Sequence, residues 1–326
     1  MIPVLEIGGT HVTAALVDLR NGRITSRTRR PLDPHGAAED ILDAVRRCAE
    51  PLPAPPGARW GVAVPGPFDY AAGIALFAGV GKFDALYGID VRAALRDGLW
   101  QPPGDVVFVN DAHAFLTGEW FAGAACGHRR AVGITLGTGV GSAFLADGSI
   151  CGDGGSICGD GAGVPPEGRM DLTEIDGRPL EDTVSRQAIL ARYGDPAADV
   201  HDIAERARAG EERAHRVLDD TYTKLGAALG PRLTDFGATV LVVGGSISRS
   251  WDLVAPALRI GLVTGGWAPD AAALGAGPRP PAGPASSDPR RVSAAVARHT
   301  RAMKPASTDG EAALIGAARA AHAATA

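Results

Sequence analysis

Apolar and polar positions fall into two similar series along the chain. Residues 2–8 (IPVLEIG) are a short apolar run ending in Gly-Gly-Thr, and residues 11–18 (HVTAALVD) follow with β-type residues. Asn21-Gly22 marks a hairpin turn, after which residues 24–32 (ITSRTRRPL) read as a third strand. Ile41, Leu42, Val45 and Ala49 recur at helical spacing and predict a helix over 37–49. Apolar strands return at 60–64, stopped by Pro65-Gly66-Pro67, and at 106–110 (VVFVN). The order strand, strand, strand, helix, strand, helix, strand predicts a mixed sheet with helices packed on it.

The second series begins at Ala131. Residues 131–150 read as two strands joined by a Gly-rich turn and ending in Asp-Gly. Helical patterns cover 183–193 and 199–230, residues 239–247 (TVLVVGGSI) are a buried strand running into Gly-Gly, and 311–323 is Ala-rich and helical. This weak repeat predicts two domains of related architecture. Residues 264–289, rich in Gly, Ala and Pro without periodicity, are expected to form a loop or poorly ordered insertion.

Composition narrows the function classes. A length of 326 residues suffices for two domains with a cleft, and 45% hydrophobic with 21% charged residues is the balance of a soluble globular protein. A net charge of -5 without a basic stripe disfavours nucleic acid as a partner. No apolar run approaches the roughly 20 residues needed to span a bilayer. The start of the chain lacks a basic segment followed by an apolar one, so a cytoplasmic location without membrane contact is expected. Cys48, Cys126, Cys151 and Cys158 contain no C-x-x-C pair and do not read as a disulfide framework. Cys151 and Cys158 belong to a duplicated Ile-Cys-Gly-Asp-Gly, and two thiols so placed do not make a tetrahedral zinc site.

The candidate chemistry lies in three Gly-rich turns and one carboxylate. Gly8, Gly9 and Thr10 end the first strand, Gly137, Thr138 and Gly139 follow the strand at 131–136, and Gly244 and Gly245 follow the strand at 239–243. Glycines let backbone N–H groups approach a phosphate, and the acidic Glu6 just before the first turn can hold Mg²⁺. Taken singly, each turn is equally a plain hairpin or strand-to-helix connection. None carries the Lys-Ser/Thr of a P-loop, and Gly137-x-Gly139-x-Gly141 runs into a strand, unlike a dinucleotide motif. Asn110-Asp111 closes the VVFVN strand. Asp111 can accept a proton from an attacking hydroxyl, and Asn110 can bind sugar hydroxyls. Locally, however, a helix cap is the commoner use of such a pair.

The segments 5–18, 61–69, 109–125, 134–148, 241–248 and 311–321 resemble, in order and spacing, the ROK family of bacterial glucokinases, fructokinases, N-acyl-hexosamine kinases and related repressors. The resemblance spans nearly the whole chain. It implies an α/β, two-domain actin-like ATPase (ribonuclease H-like) fold with an interdomain cleft. The domains would be 1–111 plus about 311–326, and 112–310. It further implies ATP and Mg²⁺ as cofactors, Asp111 as the catalytic base, and Asn110, Gly66 and Gly79 at the sugar. The turns at Gly8, Gly9, Thr10 and at Gly137, Thr138, Gly139 would cradle phosphates, with Gly244 and Gly245 against the adenosine. A homodimer is expected by the same resemblance. The chain leaves no room for a helix-turn-helix ahead of the first phosphate motif, which favours the kinases over the repressors.

Two departures stand out. Family kinases usually have Asp where this chain has Glu6. Many members also have a Gly-Glu-x-Gly-His segment and a zinc knuckle before a Leu-Glu pair, whereas residues 165–182 (PPEGRMDLTEIDGRPLED) read as that region with the knuckle removed. On this alignment Glu167 and Glu181 take the places of the two substrate-binding glutamates, Met170 replaces the zinc-binding His, and no structural zinc is expected. The pocket should therefore read its substrate differently: a hexose, an amino-hexose or a carbocyclic analogue. Lys82 and Asp84 are further sugar-facing candidates or a surface pair. The expected activity is phosphorylation of a primary hydroxyl, with ATP or polyphosphate as donor. The alternative is a sugar-sensing protein without catalysis on the same fold.

Overall fold

The computed structural model describes residues 1–152, 162–267, 302–308 and 310–324. The chain forms two compact units, 1–126 with 308–326, and 127–307.

In the first unit, β1 (Ile2–Ile7), β2 (His11–Asp18) and β3 (Arg23–Pro31) form an antiparallel meander. α1 (Ala38–Ala49) follows, burying Ile41, Leu42, Val45, Cys48 and Ala49. β4 (Arg59–Val64) then adds parallel to β1. A small hairpin of β5 (Phe68–Asp69) and β6 (Ile74–Ala75) leads to α2 (Val91–Gly98), which is capped by the Asp90 carboxylate on the Ala93 N–H. β7 (Asp105–Asn110) completes the sheet in the order β3-β2-β1-β4-β7 and passes directly into α3 (Asp111–Ala122). The register places Arg29, Thr13, Glu6, Ala63 and Val109 in one row across all five strands. In such a row side chains share a face, so Glu6 lies on the face and at the level where β7 delivers Asp111.

The second unit repeats the pattern. β8 (Arg130–Leu136), β9 (Val140–Ala146) and β10 (Ser149–Cys151) form an antiparallel meander. The sequence reading has two strands here; the Asp147-Gly148 turn, with both residues at positive φ, adds the third. A two-stranded hairpin, β11 (Glu174–Ile175) and β12 (Arg178–Pro179), precedes α4 (Glu181–Val184) and α5 (Arg186–Tyr193). The stretch read as one helical pattern over 199–230 is two helices, α6 (Val200–Arg208) and α7 (Glu212–Phe236), separated at Ala209-Gly210-Glu211. Gly210 has φ +91, a conformation that ends a helix at little cost only for glycine. β13 (Val240–Gly244), α8 (Trp251–Thr264) and β14 (Met303–Pro305) complete a sheet ordered β10-β9-β8-β13-β14. Of the expected insertion at 264–289, Thr264 ends α8 and Trp267 is buried with its indole N–H on the Ala238 carbonyl (3.2 Å); residues 268–289 lie outside the described residues.

The chain returns to the first unit as α9 (Ala312–Ala323), which packs against α3 and against β1 and β4. Small residues let the backbones nearly touch. A Cβ on Gly118 would collide with the Ala312 carbonyl, one on Gly316 with the Ala114 carbonyl, and one on Gly61 with the Ala317 carbonyl. This contact corrects the domain boundary read from the sequence. The expected break after Asp111 would assign α3 to the second domain, but α3 is buried against α9 and belongs to the first.

Candidate active site

The first unit gathers its candidate residues at the carboxyl ends of β1, β4 and β7, where parallel strands leave room for a ligand. Asn110 serves two neighbours. Its amide oxygen accepts the N–H groups of Ala112 (3.0 Å) and His113 (3.2 Å), capping α3, and its amide nitrogen donates to the Tyr70 hydroxyl at 2.9 Å. Gly66 lies against the same two side chains: a Cβ there would be 3.3 Å from the Tyr70 hydroxyl and 3.9 Å from the Asn110 nitrogen. Gly66, Tyr70 and Asn110 thus form one wall. Tyr70 escapes sequence reading because Phe-Asp-Tyr beyond a Pro-Gly-Pro turn gives no periodic signal.

Asp111 opens α3 and accepts the Ala112 N–H at 2.8 Å. Burial raises its pKa above the ordinary carboxylate range, opposed by the Lys82 ammonium, by the Ala112 N–H and by His113. Burial, and then the neighbouring Asp111 charge, push Glu6 up to about 7 against the pull of Arg29 and Arg27. A carboxylate whose ionisation is opposed by a neighbouring carboxylate, as Glu6 is by Asp111, suits a divalent cation. Among the described residues no cluster of three or more His, Cys, Asp or Glu is placed to cage a metal. That donor set fits Mg²⁺, which usually takes one or two protein carboxylates together with substrate phosphates.

The first glycine turn closes β1 onto β2, with the Gly8 N–H on the His11 carbonyl (2.9 Å). Gly9 has nothing within 4 Å of a Cβ position, and exposed Thr10 places its hydroxyl 3.1 Å from His11 Nδ1. Gly79 is exposed, at φ +68, with open space around it. Lys82 and Asp84 do not pair: Asp84 accepts the Val80 N–H at 3.0 Å, and the Lys82 charge acts on Asp111 instead.

The second unit brings its two glycine turns together. Gly137, Thr138 and Gly139 join β8 to β9, with the Gly137 N–H on the Gly139 carbonyl (3.1 Å). A Cβ on Gly137 would lie 3.7 Å from the Ser246 hydroxyl, and one on Gly245, at φ +88, would collide with the Leu136 backbone. Gly244 ends β13 beside them. Glu181 stands behind the first of these turns: its Oε1 accepts the Val140 N–H at 3.2 Å and fills the space a Gly139 side chain would need. Glu167 is exposed at φ +55, a strained value for a residue other than glycine. Its charge and that of Glu181 both act on Arg169, which is held to Asp171 at 2.6 Å. Met170 is fully buried, with its N–H on the Ser142 hydroxyl at 2.9 Å. Cys151 is buried and disulfide-bonded, a pairing absent from the sequence reading, and is no thiolate for a metal. Cys158 lies outside the described residues.

A model of the ROK family matches residues 3–263. The chain is similar to the glucokinase of Thermotoga maritima, at 28% identity over 279 residues that cover 78% of this chain and 84% of that protein. Among solved structures it superposes on a ROK family glucokinase from Streptomyces griseus in complex with glucose and AMPPNP. The TM-score is 0.70 at 22% identity, covering 99% of each chain. It also superposes on a ROK family transcriptional regulator, a homologue of the Escherichia coli MLC protein, with a TM-score of 0.68 at 18% identity. That match covers 99% of this chain and 78% of the regulator. At these identities the structural likeness establishes the fold, that of the actin-like ATPases.

Proposed function

The chain belongs to the ROK family, and from that premise we propose that it is a sugar kinase transferring the terminal phosphoryl group of ATP to a primary hydroxyl of a hexose or hexose-like acceptor. The observation that carries this reading is the pair of half-buried carboxylates with raised pKa values, Asp111 and Glu6, set at the ends of β7 and β1. Asp111 takes the proton of the attacking hydroxyl, and the α3 N-terminus with the Lys82 charge favours its ionised form. Asn110 has one amide hydrogen left for an acceptor hydroxyl after donating to Tyr70. Gly66 lets the acceptor lie against that wall.

Gly8, Gly9 and Thr10, and likewise Gly137, Thr138 and Gly139, bind phosphate oxygens through backbone N–H groups, with Gly244 and Gly245 at the adenosine. Glu6 would hold Mg²⁺, whose charge would neutralise the phosphates. Glu181 offers the acceptor at most the oxygen that Val140 does not use, and the charges of Glu167 and Glu181 both act on Arg169. A second reading, a sugar sensor without catalysis, is supported by the likeness to a ROK family transcriptional regulator and by Glu6 itself.

The deciding experiment measures ADP release with ATP, and phosphate transfer from polyphosphate, across hexoses, amino-hexoses and cyclitols. NMR then reads the position of the new phosphate. Release with one acceptor class and a phosphorylated primary hydroxyl is the expected result. Acceptor binding without turnover from either donor overturns the kinase reading in favour of the sensor.

A further inference from the structure

The chain leaves the first unit after Cys126 and re-enters it at Thr308. One fully buried side chain, Glu119 in the second half of α3, reaches the segments at both places. Its backbone carbonyl accepts the N–H groups of Gly123 and Ala125, both at 3.0 Å, and its Oε2 accepts the N–H of Ala124 at 2.7 Å. Three successive amides on the way out are therefore held by one residue. Its Oε1 accepts both the N–H (3.1 Å) and the hydroxyl (2.7 Å) of Thr308 on the way back. The Thr308 carbonyl in turn accepts the Glu311 N–H (2.8 Å) at the start of α9.

Ending a helix accounts for the first group of bonds but not the second, because Thr308 lies 189 positions further along the chain. Gly123 is shaped by the same meeting. A Cβ there would collide with the Glu119 carboxylate and come within 2.9 Å of the Thr308 methyl. A carboxylate suits this place because both oxygens accept, so donors arriving from two sides are satisfied at once. A half-satisfied version in a buried setting is costly, which makes the arrangement close to all-or-none.

We propose that Glu119 is a positioning residue that ties both passages of the chain between the units to α3, the helix whose first residue is Asp111. Helix and passages then move as one piece during turnover, and the base follows the connections. The role goes beyond the kinase reading, and only the kinetic part of its test depends on that reading.

The test uses the full chain and three variants: Glu119→Gln, Thr308→Val and Thr308→Ser. Glutamine has one accepting oxygen, so its NH₂ group must face a donor on one side or the other. Hydrogen exchange, followed with and without AMPPNP, should show the amides at 123–125 and at 308 responding together in the parent. In Glu119→Gln, exchange at one of the two sites should rise about tenfold or more while the amides of 115–118 stay parental. With an accepted sugar, kcat should fall about tenfold while the acceptor KM stays within about threefold. Thr308→Ser should behave as the parent. Thr308→Val should follow Glu119→Gln, and the double variant should be no worse than the worse single.

A parental kcat in Glu119→Gln beside a lowered Tm would reduce the residue to a structural one and overturn the proposal. So would independent responses of the two segments in the parent, or strictly additive effects. If Glu119→Gln does not fold, Thr308→Val decides. Absence of any acceptor would sink the kinase reading alone, since the exchange measurements need only AMPPNP.

Discussion

As the proposed base, Asp111 must satisfy opposing demands: burial raises its pKa, yet a base has to be ionised to work. Replacing it by Asn keeps shape and most hydrogen bonds but removes the proton acceptor. For Asp111→Asn, kcat should fall by about 10²–10⁴ with the acceptor KM nearly unchanged, read by steady-state kinetics. Glu6 makes a prediction about pH. Its folded pKa of about 7 lies above the ordinary value of 4.5, so the folded state keeps a proton that the unfolded chain has already lost. Its contribution to stability is therefore full below about 4.5 and is lost as pH rises towards about 7. Above that, metal-free Glu6→Gln should melt higher than the parent, by about 2–4 °C per kcal/mol of relief, and the gain should vanish at pH 4. The same variant should need more Mg²⁺ for activity. Glu181→Ala should raise the KM for ATP, because the Val140 N–H loses its partner; a rise confined to the acceptor KM would show that acceptor binding is its main work. Asp111 and Asn110 were legible as a strand-end pair, and the capping reading of Asn110 also holds. Tyr70 and Glu119 were not, since a lone aromatic in a turn and a Glu inside a helical run show their partners only after folding.

At the scale of elements, the contact between α3 and α9 is the least tolerant part of the first unit. Its glycines sit where a carbonyl of the facing helix leaves no volume, so added methyl groups must push the helices apart. Gly118→Ala and Gly316→Ala should each cost about 1–3 kcal/mol or more in chemical denaturation. Gly79→Ala meets no neighbour and should cost only about 1 kcal/mol, through its backbone conformation alone. The helical period of 311–323 was readable from its sequence, and so were the strands of five residues or more, because alternation and apolar runs are local signals; the strands of two or three residues were not. The break between α6 and α7 and the strand after Asp147 depend on single residues at positive φ, which periodicity does not register. The domain boundary failed for a different reason. Nothing in residues 111–122 alone says that their small side chains await a helix from the far end of the chain.

On the scale of the whole molecule, each unit has its own apolar core. One is built from residues between Val132 and Met303, and two clusters in the other draw on β1 to β7, α1 to α3 and α9. Calorimetry should accordingly resolve two transitions. Ending the chain after Ser307 should abolish the one belonging to the first unit and leave the other, since Val4, Ala15, Val17 and Ala63 would lose the helix that covers them. The same interruption of the first unit sets an order on biosynthesis. Domains usually fold N-terminal first as they leave the ribosome at about 5–20 residues per second. Here the strand bearing Glu6 and the helix that opens with Asp111 are made early but cannot finish folding until α9 emerges, after the whole of residues 127–307. The middle of the polypeptide is thus free to fold before its beginning. Nascent chains cut short at any point before α9 should expose an apolar sheet face to chaperones and leave Glu6 and Asp111 unassembled.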